Sequence, residues 1–145
     1  AMFVENLKRA ADAAERYGVD LLIEPINNKR DIPGYFLSHV SDARKIIEEV
    51  GKENVALQLD LYHAQIMDGD LETLIRSNID ITRHYQIAGV PARHEPSLGE
   101  VNFPHLFEVI DSLDFDGWVG CEYHPVQTTS SGLDWAQPYG IQVQA

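Results

Sequence analysis

One repeated unit constrains this chain more than anything else in it. A short apolar run ends in a carboxylate or an amide, and a stretch of helical periodicity follows. The four runs are Val19-Asp20-Leu21-Leu22-Ile23-Glu24, Val55-Ala56-Leu57-Gln58-Leu59-Asp60, His84-Tyr85-Gln86-Ile87-Ala88 and Gly117-Trp118-Val119-Gly120-Cys121-Glu122. Before the first run, Phe3, Val4, Leu7, Ala11, Ala14 and Tyr17 recur at three- and four-residue steps, which predicts a helix over 3–17 closed by Gly18. Val40, Ala43, Ile46, Ile47 and Val50 predict a second helix, started by Ser38 or Ser41 and closed by Gly51. A short helix is expected around Leu71, Leu74 and Ile75. Another is capped by Asn102, with Pro104 in its first turn and Phe103, Leu106, Phe107, Ile110 and Leu113 as its stripe. The tail predicts one short helix from Ser130 through Trp135, limited by Pro138.

Strands that alternate with helices imply βαβ units and a parallel sheet. No linker, low-complexity run or internal repeat in identity divides residues 1–145, so a single domain is expected. An open flavodoxin-like sheet and half of an eight-stranded barrel fit this pattern equally. A complete barrel takes about 250 residues, and the chain has 145.

The strand ends fall at Glu24, Asp60, Gln86 and Glu122, with spacings of 36, 26 and 36 residues. In parallel α/β folds the loops after the strands gather at one face. Three carboxylates and an amide oxygen would then share a rim. Such hard oxygen donors suit Mg²⁺ or Mn²⁺ better than zinc or copper. The plainer reading of any one of them is a helix N-cap or a solvated loop residue. His63, three residues past Asp60, can ligate a metal, donate to a substrate, or pack in a loop. Arg93, in Pro91-Ala92-Arg93-His94-Glu95-Pro96, offers a bidentate clamp for a carboxylate, or belongs to a solvated turn. Cys121 reads as a small buried hydrophobe, and Trp118 and Tyr123 as core or pocket wall.

Composition narrows the function classes. With 11 basic and 23 acidic residues the formal net charge is −12, which opposes binding to DNA, RNA or an anionic membrane surface. The lone cysteine excludes an internal disulfide and a zinc finger. No apolar stretch approaches the ~20 residues of a membrane span, and Ala1 to Glu5 lacks the basic start and apolar run of a signal peptide. A cytoplasmic location is expected. Neither G-x-G-x-x-G, nor a P-loop, nor a G-x-S-x-G elbow occurs. A phosphate-accepting receiver domain would need a lysine where Glu122 stands.

Six segments together carry a resemblance. Leu22-Ile23-Glu24-Pro25-Ile26-Asn27, Gln58-Leu59-Asp60-Leu61-Tyr62-His63, His84-Tyr85-Gln86-Ile87-Ala88, Pro91-Ala92-Arg93-His94-Glu95-Pro96, Gly99-Glu100-Val101-Asn102-Phe103 and Gly120-Cys121-Glu122-Tyr123 are similar to hydroxypyruvate isomerases, a family of the xylose-isomerase-like TIM barrels. The resemblance runs from about residue 3 to residue 140. It implies the C-terminal half of a (β/α)8 barrel, four strand–helix units preceded by a helix. It also implies one divalent cation, Mg²⁺ or Mn²⁺, on Glu24, Asp60, Gln86 and Glu122. Glu24 and Glu122 would be the acid/base pair, and His63 and Arg93 would hold substrate oxygens. The implied reaction interconverts hydroxypyruvate and tartronate semialdehyde, or a related short 2-oxo acid or ketose, through an enediolate. Ala92 stands where that family often has glycine.

Two rival expectations accompany this one. A half-barrel with open strand edges can be non-catalytic and self-associate into a homo-oligomer. An AP-endonuclease-like hydrolase shares the fold, but its zinc site needs more histidines and its DNA a basic groove.

Overall fold

The computed structural model describes residues 2–141; Ala1 and residues 142–145 lie outside the described residues. The order is α1 (Met2–Glu15), β1 (Leu21–Ile23), α2 (Val40–Val50), β2 (Val55–Asp60), α3 (Leu61–Met67), α4 (Leu71–Asn78), β3 (Thr82–Ile87), α5 (Phe103–Asp111) and β4 (Trp118–Cys121). A 3₁₀ helix, Ser131–Tyr139, ends the described chain. The strands form one parallel sheet in the order β1-β2-β3-β4. This is the α/β architecture of a partial barrel, with chain order and spatial order coinciding.

Strand alternation divides the sheet into two faces. Ile23, Leu57, Leu59, Tyr85 and Ile87 point to the helices. There they join Val40, Ala43 and Ile47 of α2, Ile75 of α4, and Phe103, Leu106 and Ile110 of α5 in one buried core. Gln58 and Asp60, two residues apart, share the opposite face. The register between β2 and β3 shifts at Leu57/Gln58: Leu57 pairs with Thr82, but Gln58 pairs with His84. Arg83 is the extra residue of this bulge. The slip changes the parity of everything after it. As a result Gln86, not Tyr85, lies level with Asp60.

Helix ends show where local chemistry acts. Gly51 closes α2 in the left-handed region at φ 62°, donating its N–H to the Ile47 carbonyl at 3.0 Å. Neither Ser38 nor Ser41 caps its start. His39 is the N-cap, and the Asp68 carboxylate reaches across from the end of α3 to accept from Val40 N at 3.2 Å. Asn102 caps α5 as expected, through His105 N.

Several expectations need correction. α1 stops at Glu15, so Tyr17 leaves the stripe and is exposed. The tail helix runs through Pro138 to Tyr139 as a 3₁₀ helix, a geometry in which only the i−3 carbonyl is bonded. Trp118 is 78% exposed, and Cys121 is exposed as well. Both lie on β4, which is paired only with β3 and forms an edge of the sheet. Among the described residues no helix is long and apolar enough to cross a membrane.

Candidate metal and proton-transfer site

Glu24 directly follows β1, Asp60 ends β2, Gln86 lies next to last in β3, and Glu122 directly follows β4. The sheet therefore delivers all four to one end. Glu24, Asp60, His63 and Glu122 each carry an atom of a metal-ligating type, and these atoms all lie within 4.8 Å of one another.

Each of the two inner carboxylates uses one oxygen to anchor itself and presents the other. Asp60 Oδ1 accepts from the backbone N–H groups of Tyr62 at 2.7 Å and His63 at 3.2 Å, capping α3. Its Oδ2 is buried without a hydrogen-bond partner. Glu24 Oε2 accepts from Gln58 Nε2 at 2.9 Å, and Glu24 Oε1 is likewise buried and unpartnered. Buried carboxylate oxygens left without donors are costly. Two of them converging among hard oxygen donors is the chemistry a divalent cation satisfies. The residues present therefore fit such an ion, with Glu24, Asp60 and Glu122 as charged donors.

Gln58 was not expected at the site. Its amide donates to Glu24 Oε2 and also to Gln86 Oε1, at 2.6 Å, so it bridges two proposed ligands and orients both. The available signal was its position two residues before Asp60, on the same face of β2. Asp31 was missed as well. It accepts from Arg93 Nη1 at 2.9 Å and from the Tyr62 hydroxyl at 3.2 Å. It lies in the long loop after β1, where no periodicity marks any residue.

Arg93 reaches the site from the loop after β3. It donates through Nη2 to Glu122 Oε2 at 2.6 Å, through Nη1 to Asp31 and through Nε to the Glu122 carbonyl at 3.3 Å. Three of the five guanidinium N–H groups are thus used within the chain. The guanidinium also lies over the Tyr62 ring, 4.9 Å from its centroid. Its backbone adopts φ 58°, while Ala92 stays out of the left-handed region. Alanine at position 92 therefore carries no left-handed backbone strain. Glu95, buried nearby, accepts from Val126 N and ties this loop to the one after β4. His63 sits in the first turn of α3. Its Nε2 is 3.9 Å from Glu24 Oε1 and 3.8 Å from Asp60 Oδ2.

The electrostatics follow from this crowding. Burial, reinforced by Asp60 and Glu122, pushes the Glu24 carboxyl up from 4.5 to about 7. Burial also raises the Asp60 carboxyl, against the pull of His63 and its backbone donors. Burial lowers His63. Glu24 is thus poised to exchange a proton near neutrality.

Comparison with known proteins gives this geometry its family. Residues 1–139 match the family described as xylose isomerase-like TIM barrel. The chain belongs to that family. A 2-oxo-tetronate isomerase of Cupriavidus necator is 53% identical over 139 residues, which cover 96% of this chain and 53% of that protein. A hydroxypyruvate isomerase of Escherichia coli is 47% identical, covering 96% and 54%. A crystal structure of an AP endonuclease, family 2, from Brucella melitensis superposes with a TM-score of 0.92 at 52% identity, covering 94% of this chain and 53% of that one. The chain spans about half the length of the curated relatives it matches. Within the xylose isomerase-like TIM barrel family, strand ends on one rim are where side chains with chemistry gather, and Glu24, Asp60 and Glu122 gather there.

Proposed function

We propose that this chain supplies the cation-binding and proton-transferring part of an isomerase acting on a short 2-oxo acid. The proposed interconversion is that of hydroxypyruvate and tartronate semialdehyde, or of a related 2-oxo acid or ketose. The observation that carries the reading is the pair of unpartnered buried oxygens, Glu24 Oε1 and Asp60 Oδ2, within a cluster that Glu122 completes. The names of the Cupriavidus and Escherichia relatives support it.

In this reading Glu24, Asp60, Gln86 and Glu122 hold one Mg²⁺ or Mn²⁺. The ion would supply Lewis-acid stabilisation of negative charge developing on two adjacent substrate oxygens. Glu24 takes the C–H proton from one carbon. Glu122, entering with a proton, delivers it to the neighbouring carbon as the hydroxyl proton passes to the former carbonyl oxygen, and a proton passed back from Glu24 to Glu122 resets the pair. His63 and the two guanidinium N–H groups that Arg93 has left hold substrate oxygens. Arg93 also keeps Glu122 in place through Nη2.

The test is an isomerisation assay with Mg²⁺ or Mn²⁺ on the protein and its Glu122→Gln variant. A loss of about 10²–10⁴ in turnover is expected, the usual worth of a positioned acid or base. Unchanged turnover would remove Glu122 from the mechanism.

Self-association is the second reading, and the exposed β4 edge favours it. Trp118 and Val119 stand uncovered there, and a second copy pairing across the edge would bury them. Light scattering distinguishes a homo-oligomer from a single copy. A nucleic-acid substrate, suggested by the likeness to the Brucella AP endonuclease, is opposed by the charge of −12. A cytoplasmic location remains part of the proposal.

A further inference from the structure

Asn27 is fully buried, in the loop after β1, and its side chain makes three contacts. Its Oδ1 accepts from the backbone N–H groups of Arg30 at 3.0 Å and Asp31 at 3.1 Å. Its Nδ2 faces His63 Nδ1 at 2.7 Å. The two backbone donors decide which way the amide points. Turned over, it would set its N–H₂ group against two N–H groups and present an oxygen to the ring. With Nδ2 facing the ring, His63 Nδ1 has to be the acceptor, because two N–H donors cannot meet at 2.7 Å. The ring proton then belongs on Nε2. Asp31 is the competing partner for Nδ1, but its Oδ2 lies 3.8 Å away and is already taken by Arg93.

We infer that Asn27 is a positioning residue that locks His63 in the tautomer carrying its proton on Nε2. The lone pair of His63 is thereby turned away from Glu24 and Asp60 and spent on Asn27. His63 lies among the carboxylates but offers them an N–H, not a ligand atom. In the isomerase reading, on which this consequence rests, the Nε2–H donates to a substrate oxygen. The choice of tautomer does not depend on that reading.

The experiment is ¹⁵N NMR of the histidine rings at pH 8, on the chain without added metal or substrate. The His63 resonances are assigned by their disappearance in His63→Gln. The wild-type chain is expected to show a pyridine-type Nδ1 and a pyrrole-type Nε2 for His63. Asn27→Asp keeps an oxygen for the two backbone donors but turns an acceptor toward the ring, so Nδ1 is expected to become pyrrole-type. If that variant does not fold, Asn27→Ala is measured instead, and Nδ1 is expected to lose its purely pyridine-type shift. A pyrrole-type Nδ1 in the wild-type chain overturns the inference, as does an Nδ1 that stays pyridine-type in the variant. Because no substrate is present, failure here leaves the isomerase reading standing. An inactive protein with the stated tautomer overturns the isomerase reading alone.

Discussion

Replacing Glu24 with Gln is expected to raise the thermal midpoint of the chelator-treated chain at pH 8 and to leave it nearly unchanged at pH 4. The Glu24 carboxyl is held near 7 in the folded chain, against an ordinary value of 4.5, chiefly by burial and then by Asp60 and Glu122. The folded state therefore binds a proton that the unfolded state has released. Below about 4.5 both states are protonated and Glu24 costs nothing. As the pH rises through the window from 4.5 to 7, stability falls. Above 7 the full penalty of an ionised, crowded carboxylate is present, on the order of 3 kcal/mol. A glutamine keeps an oxygen for Gln58 Nε2 and brings no charge into the cluster. For a chain of this length the gain at pH 8 corresponds to roughly 10 °C. Thermal melts at the two pH values check it, and equal shifts at both would show that Glu24 carries no such penalty. The same substitution removes a charged donor from the proposed cation site, so stability and function pull in opposite directions at this residue.

Gly99→Ala is expected to destabilise the chain by about 3 kcal/mol or more and to loosen the loop that carries Arg93. Gly99 has φ 103°, a conformation that L side chains rarely adopt. A Cβ there would stand 2.0 Å from the Val90 carbonyl oxygen. That oxygen already accepts from Glu100 N at 2.9 Å, the bond that folds the loop back on itself. Strain and collision act on the same few atoms, and neither is relieved by a rotamer change. Hydrogen exchange at Gly89 and Arg93, whose N–H groups are bonded inside this loop, checks where the damage falls. A melt indistinguishable from wild type would contradict it.

Much of the architecture was legible because it is written in periodicities. The four apolar runs became four strands, and the stripe from Val40 to Val50 became α2 with those bounds. α3 was not anticipated, since Leu61–Met67 follows Asp60 without a turn residue to announce it and is only seven residues long. Its presence converts Asp60 into an N-cap and a rim carboxylate at once, two roles that looked like alternatives in the sequence. The bulge at Leu57/Gln58 was also invisible, because register is a property of two strands and not of either one. Cys121 and Trp118 looked like core residues because an apolar run does not say whether its strand is paired on both sides.

At the site, the strand-end carboxylates were legible by residue type and spacing, and the chain brings Glu24, Asp60 and Glu122 together. Gln58, Asn27 and Asp31 were not. Each acts through a hydrogen bond to a residue 28 or more positions away, and nothing local in the sequence records such a partner. Arg93 was singled out as a carboxylate clamp. It does meet carboxylates, but those of Asp31 and Glu122 in its own chain.

The central claim is that the strand ends form one divalent-cation site, and calorimetric titration with Mn²⁺ tests it most directly. The chelator-treated chain at pH 8 is expected to bind one ion, and Glu24→Gln and Asp60→Asn are each expected to weaken that binding at least tenfold. Stoichiometric binding that survives both substitutions, or no binding by the folded wild-type chain, would contradict the account.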